Sequence, residues 1–162
     1  MKKLTKAALI AVVILAAAFF YNKYRIAPKV NFATVQLTDL EGKPVNLQDY
    51  KDNIRFINFF ATWCGPCMGE MESLDQAAAT LQKENFVFIC ISDEPVELIQ
   101  FLQKRVPHLV ILHSAQKLTS IKIATLPTSY LLNKRSEASF KKIGVMDWGS
   151  AKTIEELKKA AE

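Results

Sequence analysis

The chain has 162 residues, enough for one domain with a hydrophobic core, and its apolar fraction of 50% excludes an intrinsically disordered protein. Its net charge of +5 is unevenly placed, because residues 1–29 carry six of the 21 Lys and Arg and none of the 16 Asp and Glu. The rest of the chain is close to neutral, so the basic charge indicates membrane targeting rather than nucleic-acid binding.

The N-terminal segment has the pattern of an export signal. Three lysines precede an uninterrupted apolar run at 7–21, which aromatic and cationic residues follow. The run is short for a membrane span of about 20 residues but suits a secretory signal. We favour an uncleaved signal-anchor with its linker at 1–29, because the flanking residues are typical of membrane interfaces. Cleavage after Ala18 is the alternative. Either way, we expect residues 30–162 to form a domain on the periplasmic or extracytoplasmic side.

The exported part alternates strands and helices after an initial hairpin. The predicted strands are 35–38, 45–47, 55–60, 86–91, 109–112, 129–132 and 140–145, and the predicted helices are 66–83, 94–105, 114–123 and 153–160. Asp93 and Thr153 are expected to cap the helices that follow them. The apolar run at 86–91 is typical of a central sheet strand. This order predicts an α/β fold with a central mixed sheet flanked by helices.

The segment Trp63-Cys64-Gly65-Pro66-Cys67 lies where the strand 55–60 gives way to the helix 66–83. Unpaired amides and the helix dipole favour a thiolate at the first cysteine, Cys64. The second, Cys67, is placed to resolve a mixed disulfide. Proline suits the first helical turn, where its missing N–H costs nothing. The pattern predicts thiol–disulfide exchange.

Paired cysteines at this spacing also bind zinc, but a structural zinc site needs a second pair of ligands. The remaining cysteine is Cys90, and the two histidines are His108 and His113, without zinc-finger spacing. The sequence therefore predicts a redox pair and no metal or cofactor. A non-enzymatic, metal-binding module stays open as an alternative. Within its apolar strand, Cys90 is expected to be an inert buried thiol.

Three further segments carry a resemblance to a known family. They are 37–43 with 47–50, the run 58–63 before the cysteines, and Leu126-Pro127-Thr128 before a strand. Together with the cysteine motif they resemble the TlpA/ResA-type membrane-anchored thiol–disulfide oxidoreductases of the thioredoxin-like superfamily. The resemblance spans about residues 33–160. It implies a thioredoxin-like fold with an added N-terminal β-hairpin.

The resemblance also implies roles for individual residues. Cys64 and Cys67 match the catalytic pair. Pro127 matches a cis-proline that faces the disulfide and exposes the backbone of Leu126 to an extended substrate. Trp63 and Thr128 complete the predicted substrate-binding residues.

Glu70 matches a glutamate of the ResA-type motif. It follows Cys67 by three residues, so both lie on one face of the helix. A partly buried carboxylate there is predicted to accept the proton of Cys67, whereas a solvated surface glutamate is the alternative. Asn58 stands where thioredoxins carry a buried aspartate, which leaves the proton-accepting role to Glu70. A hydrogen-bonded core amide is the simpler reading of Asn58.

The expected activity is reduction of disulfides in exported proteins, with apocytochrome c as a family-level candidate. A membrane thiol transporter would return the pair to the dithiol form. Gly65-Pro66 is the dipeptide of reducing thioredoxins, which favours this direction. An oxidase or isomerase of exported proteins is the alternative within the same class of enzyme.

Overall fold

The computed structural model describes residues 6, 9–17, 19 and 27–162. Residues 9–17 are helical. Within the described residues, no helix combines the length and apolar character needed to cross a membrane. The predicted cleavage site at Ala18 and the aromatic and cationic flank at 20–25 lie outside the described residues. The signal-anchor and the domain boundary after residue 29 therefore stay predictions.

Seven strands form one mixed sheet within residues 27–162. The strands are β1 (Leu37–Thr38), β2 (Pro44–Val45), β3 (Ile54–Phe59), β4 (Phe86–Ser92), β5 (Val110–Ser114), β6 (Thr128–Leu132) and β7 (Ala138–Ile143). Their order in the sheet is β2-β1-β5-β4-β3-β6-β7. The α-helices of this part of the chain are α1 (Gly65–Leu81), α2 (Val96–Ile99), α3 (Leu102–Arg105) and α4 (Ala151–Ala161).

The central strand β3 positions the segment that carries the cysteines. It runs parallel to β4 and antiparallel to β6. At its C-terminal end, Phe59 lies opposite Thr128, the first residue of β6. The loop that leaves β3 and the loop that enters β6 therefore meet at the same edge of the sheet.

The two faces of the sheet are covered by different kinds of helix. The α-helices contribute to a core on one face, through residues that include Leu74, Ile99, Leu102 and Leu157. The other face is covered by 3₁₀ helices at Phe32–Thr34, Leu47–Tyr50 and Leu118–Ile121. These layers confirm the predicted α/β fold, and the antiparallel pair β1–β2 confirms the predicted hairpin.

The prediction of one helix over 94–105, capped by Asp93, is wrong. The segment forms the two short helices α2 and α3, and Pro95 precedes the first of them. The Asp93 carboxylate instead accepts a hydrogen bond from the backbone N–H of Leu118, 3.0 Å away. Asp93 thus holds the turn after β5 rather than the helix that follows it in sequence.

The helix predicted over 114–123 is also wrong. Ser114 is the last residue of β5, and the 3₁₀ turn Leu118–Ile121 is the helical part of the segment. Lys122 has a positive φ of 72°, which ends that turn.

The N-cap of the last helix is Ser150 rather than Thr153. The Ser150 hydroxyl accepts the backbone N–H of Thr153 at 3.3 Å. Thr153 lies inside α4, which begins at Ala151. The cap therefore precedes the predicted position by three residues, as is usual when the capping side chain accepts from the third helical residue.

Candidate active site

Cys64 and Cys67 form a disulfide at the N-terminus of α1. A tight turn after β3, closed by a hydrogen bond from Cys64 N–H to the Ala61 carbonyl, delivers Cys64 to the N-cap position. The Cys64 sulfur accepts the backbone N–H of Cys67 at 3.3 Å. Pro66 lies in the first turn, as predicted. The helix therefore supplies a backbone donor at the sulfur on which a thiolate would form.

The residues around the disulfide differ sharply in exposure. The side chain of Trp63 is 75% exposed, whereas Cys64 is 6% exposed and Cys67 is fully buried. A protein that approaches from solvent therefore meets the indole of Trp63 first and the sulfur of Cys64 next. Cys64 is therefore the more accessible of the two cysteines.

The bond between Leu126 and Pro127 is cis, which confirms the prediction. Thr128 follows as the first residue of β6, and its hydroxyl donates to the Thr125 carbonyl at 2.6 Å. The side chain of Leu126 packs against the hydrophobic cluster that contains both cysteines. The structure thus brings Leu126-Pro127-Thr128 to the edge of the sheet at which the disulfide lies.

Glu70 is buried below the disulfide, one helical turn from Cys67, with 4% of its surface exposed. Its Oε1 accepts the side-chain amide of Asn58 at 2.9 Å. Its Oε2 accepts the indole N–H of Trp148 at 2.9 Å and the backbone N–H of Met146 at 3.4 Å. Burial raises the pKa of the Glu70 carboxyl, and these hydrogen bonds offset part of the rise. The surface alternative for this residue is therefore wrong.

Asn58 is a buried amide with more than a packing role. Its Nδ2 donates to Glu70 and also to the Ser129 hydroxyl at 3.0 Å. Its Oδ1 is buried without a hydrogen-bond partner among the described residues. Cys90 lies opposite Asn58 on β4, fully buried and without a disulfide partner. Burial raises the pKa of the Cys90 thiol, and the charge of Glu70 raises it further.

The sequence did not point to Trp148 as part of this site. Trp148 is fully buried and lies 78 residues from Glu70 in the chain. Its ring packs edge-on against Phe56, with centroids 4.8 Å apart, and against Phe140, 6.3 Å apart. No local spacing links a tryptophan after β7 to a carboxylate in α1, so only the folded chain reveals this contact.

Glu94 is a second buried carboxylate that the sequence did not single out. It lies just after β4, and its Oε1 accepts the Thr62 hydroxyl at 2.7 Å. Its Oε2 accepts the backbone N–H of Thr62 at 2.5 Å and the Ser92 hydroxyl at 3.3 Å. Glu94 therefore fixes the loop that carries Trp63 and Cys64.

Among the described residues, no cluster of three or more His, Cys, Asp and Glu side chains has an arrangement suited to a metal ion. The arrangement that the structure does contain is a disulfide at a helix terminus, a buried carboxyl beneath it and a cis-proline at the same sheet edge. These groups are suited to exchange of a disulfide with another protein.

Comparisons with known proteins agree with this chemistry. A family model described as the AhpC/TSA family matches residues 28–151. The thiol-disulfide oxidoreductase ResA of Geobacillus thermodenitrificans (strain NG80-2) is 30% identical over 125 residues, which cover 75% of this chain and 72% of that protein.

Solved structures agree in fold. A thioredoxin family thiol:disulfide interchange protein from Chlorobium tepidum TLS has a TM-score of 0.65 and 22% identity, over 85% of this chain and 100% of the other. StoA from Bacillus subtilis has a TM-score of 0.59 and 21% identity, over 84% and 98%. These two similarities confirm the predicted thioredoxin-like fold.

Proposed function

Since this chain belongs to the AhpC/TSA family and is a thioredoxin-like thiol–disulfide oxidoreductase of the ResA type, we propose that it reduces disulfides in exported proteins. Apocytochrome c is the client we favour. The observation that carries the proposal is the Cys64–Cys67 pair at the N-terminus of α1, with a backbone N–H on the Cys64 sulfur. The Gly65-Pro66 dipeptide supports the reducing direction.

The reaction begins from the dithiol. The Cys64 thiolate attacks one sulfur of a client disulfide, which forms a mixed disulfide and expels the other client sulfur as a thiolate. Cys67 then gives up its proton and attacks the Cys64 sulfur. The client leaves as a dithiol after protonation, and Cys64–Cys67 remains as the disulfide. A membrane thiol transporter supplies the two electrons that restore the dithiol.

Glu70 takes the proton of Cys67 in the second step. Three features support this role: the same helix face as Cys67, burial, and a pKa raised by that burial. A carboxyl whose pKa is raised holds a proton nearer neutral pH than a surface glutamate, and so exchanges one with a thiol more readily.

The client lies along the edge of the sheet where the loop after β3 meets the loop before β6. The exposed indole of Trp63 provides apolar contact area, and the backbone of Leu126 pairs with an extended segment of the client beside Pro127 and Thr128. The fixed loop below Trp63, held by Glu94, supports this surface.

We propose a location outside the cytoplasm, on the periplasmic side of the membrane or its equivalent. The basic and apolar residues at 1–29 support it, since their order favours export of the domain. Disulfides form and persist in an oxidising compartment, so a reductant located there has substrates.

The test of the client is capture of mixed disulfides by Cys67→Ser in the source cell. This variant attacks through Cys64 but does not release its partner, so captured proteins are identified by mass spectrometry. The control is the double variant Cys64→Ser/Cys67→Ser, which captures nothing through the pair. Apocytochromes or proteins of their maturation are the expected partners. A broad set of unrelated exported proteins would remove the cytochrome assignment.

A further inference from the structure

Among the described residues, the three hydrogen bonds to the Glu70 carboxylate all come from N–H donors. Asn58 Nδ2 donates to Oε1, and Trp148 Nε1 and Met146 N donate to Oε2. Donors on both oxygens stabilise the ionised carboxylate. Once Glu70 accepts a proton, one oxygen becomes an O–H donor and needs an acceptor that this arrangement does not present.

The missing acceptor is the Asn58 Oδ1, which is buried without a partner among the described residues. A half-turn of the amide exchanges the positions of Oδ1 and Nδ2. Oδ1 would then lie where Nδ2 now lies, 2.9 Å from Glu70 Oε1 and 3.0 Å from the Ser129 hydroxyl. In that orientation it accepts from both a protonated Glu70 and the Ser129 O–H. A buried unpaired oxygen calls for an explanation. The second orientation gives Oδ1 two donors once Glu70 is protonated, and it places Nδ2 where Oδ1 now lies.

The other oxygen of Glu70 has a rigid partner. The Trp148 ring is fully buried between Phe56 and Phe140, so the direction of its N–H is fixed by packing. An indole N–H only donates, and it cannot accept a proton from the carboxyl. The backbone N–H of Met146, which donates to the same oxygen, cannot accept a hydrogen bond either. Oε2 is therefore unsuited to carry the proton, whereas Oε1 has an amide beside it that can turn.

We propose that Trp148 is a positioning residue that holds Glu70 by Oε2, so that the proton of Cys67 goes to Oε1. The Asn58 amide then turns, and its Oδ1 accepts a hydrogen bond from the new O–H group. The inference rests on the proposed role of Glu70 as proton acceptor. In the step, the S–H bond of Cys67 breaks, an O–H bond forms at Glu70 Oε1, and the sulfur keeps the electron pair with which it attacks Cys64.

Burial and hydrogen bonds from neutral groups account for the shifted pKa of Glu70. Cys67 lies on the same helix, Cys90 faces it from β4, and Asp147 is exposed in the segment that carries Trp148. Asn58 and Ser129, from β3 and β6, are neutral, and the half-buried Lys142 on β7 lies in register with Ser129. Hydrogen bonds from neutral donors therefore stabilise the Glu70 anion, and removal of one donor moves its titration.

The test uses the full-length chain with Cys64–Cys67 oxidised, so that these cysteines do not titrate. The chain has two tryptophans, hence two indole N–H resonances in ¹⁵N-labelled protein, and the exposed Trp63 is the internal reference. We expect the Trp148 indole resonance and the Asn58 side-chain amide resonances to titrate with one common midpoint. In Glu70→Gln neither should titrate.

The decisive variant is Trp148→Phe, which keeps the aromatic packing and removes the N–H. Loss of a donor to the anion should raise the pKa of Glu70, and with it the midpoint of the Asn58 amide resonances, by about one pH unit. A hydrogen bond to a charged group changes its pKa by roughly this amount. The midpoint for client release from Cys64 should move upward by the same amount. Phe140→Leu keeps the Trp148 N–H and its contact with Phe56, and should leave both midpoints in place.

Three outcomes separate the claims. An unchanged midpoint in Trp148→Phe, or an equal shift in Phe140→Leu, would overturn the positioning role of Trp148. Asn58 amide resonances that stay constant through the titration of Trp148 would overturn the turning of the amide. If the resonances titrate as expected in the wild-type protein but Glu70→Gln releases the client at the wild-type rate, the proposed function of Glu70 is contradicted, whereas the hydrogen bond from Trp148 to its carboxyl is not.

Discussion

Two buried carboxylates frame the disulfide, and they are held in different ways. The Glu70 pocket consists of Glu70, Asn58, Met146 and Trp148, and lies beneath Cys67. The Glu94 clasp consists of Glu94, Thr62 and Ser92, and holds the loop before Cys64. Burial of a carboxylate alone therefore does not assign it a chemical role.

What separates the two regions is the position of the carboxylate relative to the reacting groups. Glu70 shares a helix face with Cys67, and its pKa is raised by burial. Glu94 bonds to the backbone and hydroxyl of a loop residue, an arrangement that fixes the chain path. The first region is suited to proton transfer and the second to positioning.

The largest expected effect is that of Glu70→Gln on the resolving step. Without a proton acceptor, attack by Cys67 on the mixed disulfide should slow about 100-fold, the usual scale of general base catalysis. The initial attack by Cys64 should change by less than about threefold, because it does not use this proton. Stopped-flow reduction of a peptide disulfide, with quantification of the mixed disulfide, separates the two steps.

The matched control is Glu72→Gln, which removes an exposed carboxylate from the same helix. It should leave both steps near wild type. If Glu70→Gln resolves mixed disulfides as fast as Glu72→Gln, the Glu70 pocket is structural and the contrast with the Glu94 clasp disappears.

A smaller effect, on stability, is expected from Glu94→Ala. The change leaves the N–H and hydroxyl of Thr62 without their acceptor, which should lower the free energy of unfolding by about 2 kcal/mol. Urea denaturation of the oxidised protein measures it. Glu97→Ala, an exposed position on α2, should stay within about 0.5 kcal/mol of wild type. A resolving rate reduced as strongly as in Glu70→Gln would show that Glu94 takes part in the chemistry.

The parts of the site that follow from local pattern were predictable from the sequence. The apolar strand, the Cys64-to-Cys67 spacing and Pro66 place the pair at a helix N-terminus, and the i, i+3 spacing places Glu70 below it. The resemblance to a known family added the cis bond at Pro127, which the structure confirms. These features depend on neighbours in sequence or on a recognised motif.

The remaining contacts depend on residues that are distant in sequence. Trp148 reaches Glu70 across 78 residues, and Glu94 reaches Thr62 across 32. Asp93 has the position of a helix N-cap, yet it accepts from Leu118 because the fold brings that turn beside it. A spacing rule for one element does not include such partners, so these predictions were incomplete or wrong.

The standard potential of the Cys64–Cys67 couple decides whether the pair is a reductant. The full-length chain is equilibrated with defined thiol–disulfide buffers, and the oxidised fraction is measured by alkylation and mass spectrometry. We expect a potential of about −250 mV or lower, near that of reducing thioredoxins. A value of about −120 mV, as in strong oxidants, would contradict it and identify a protein that delivers disulfides.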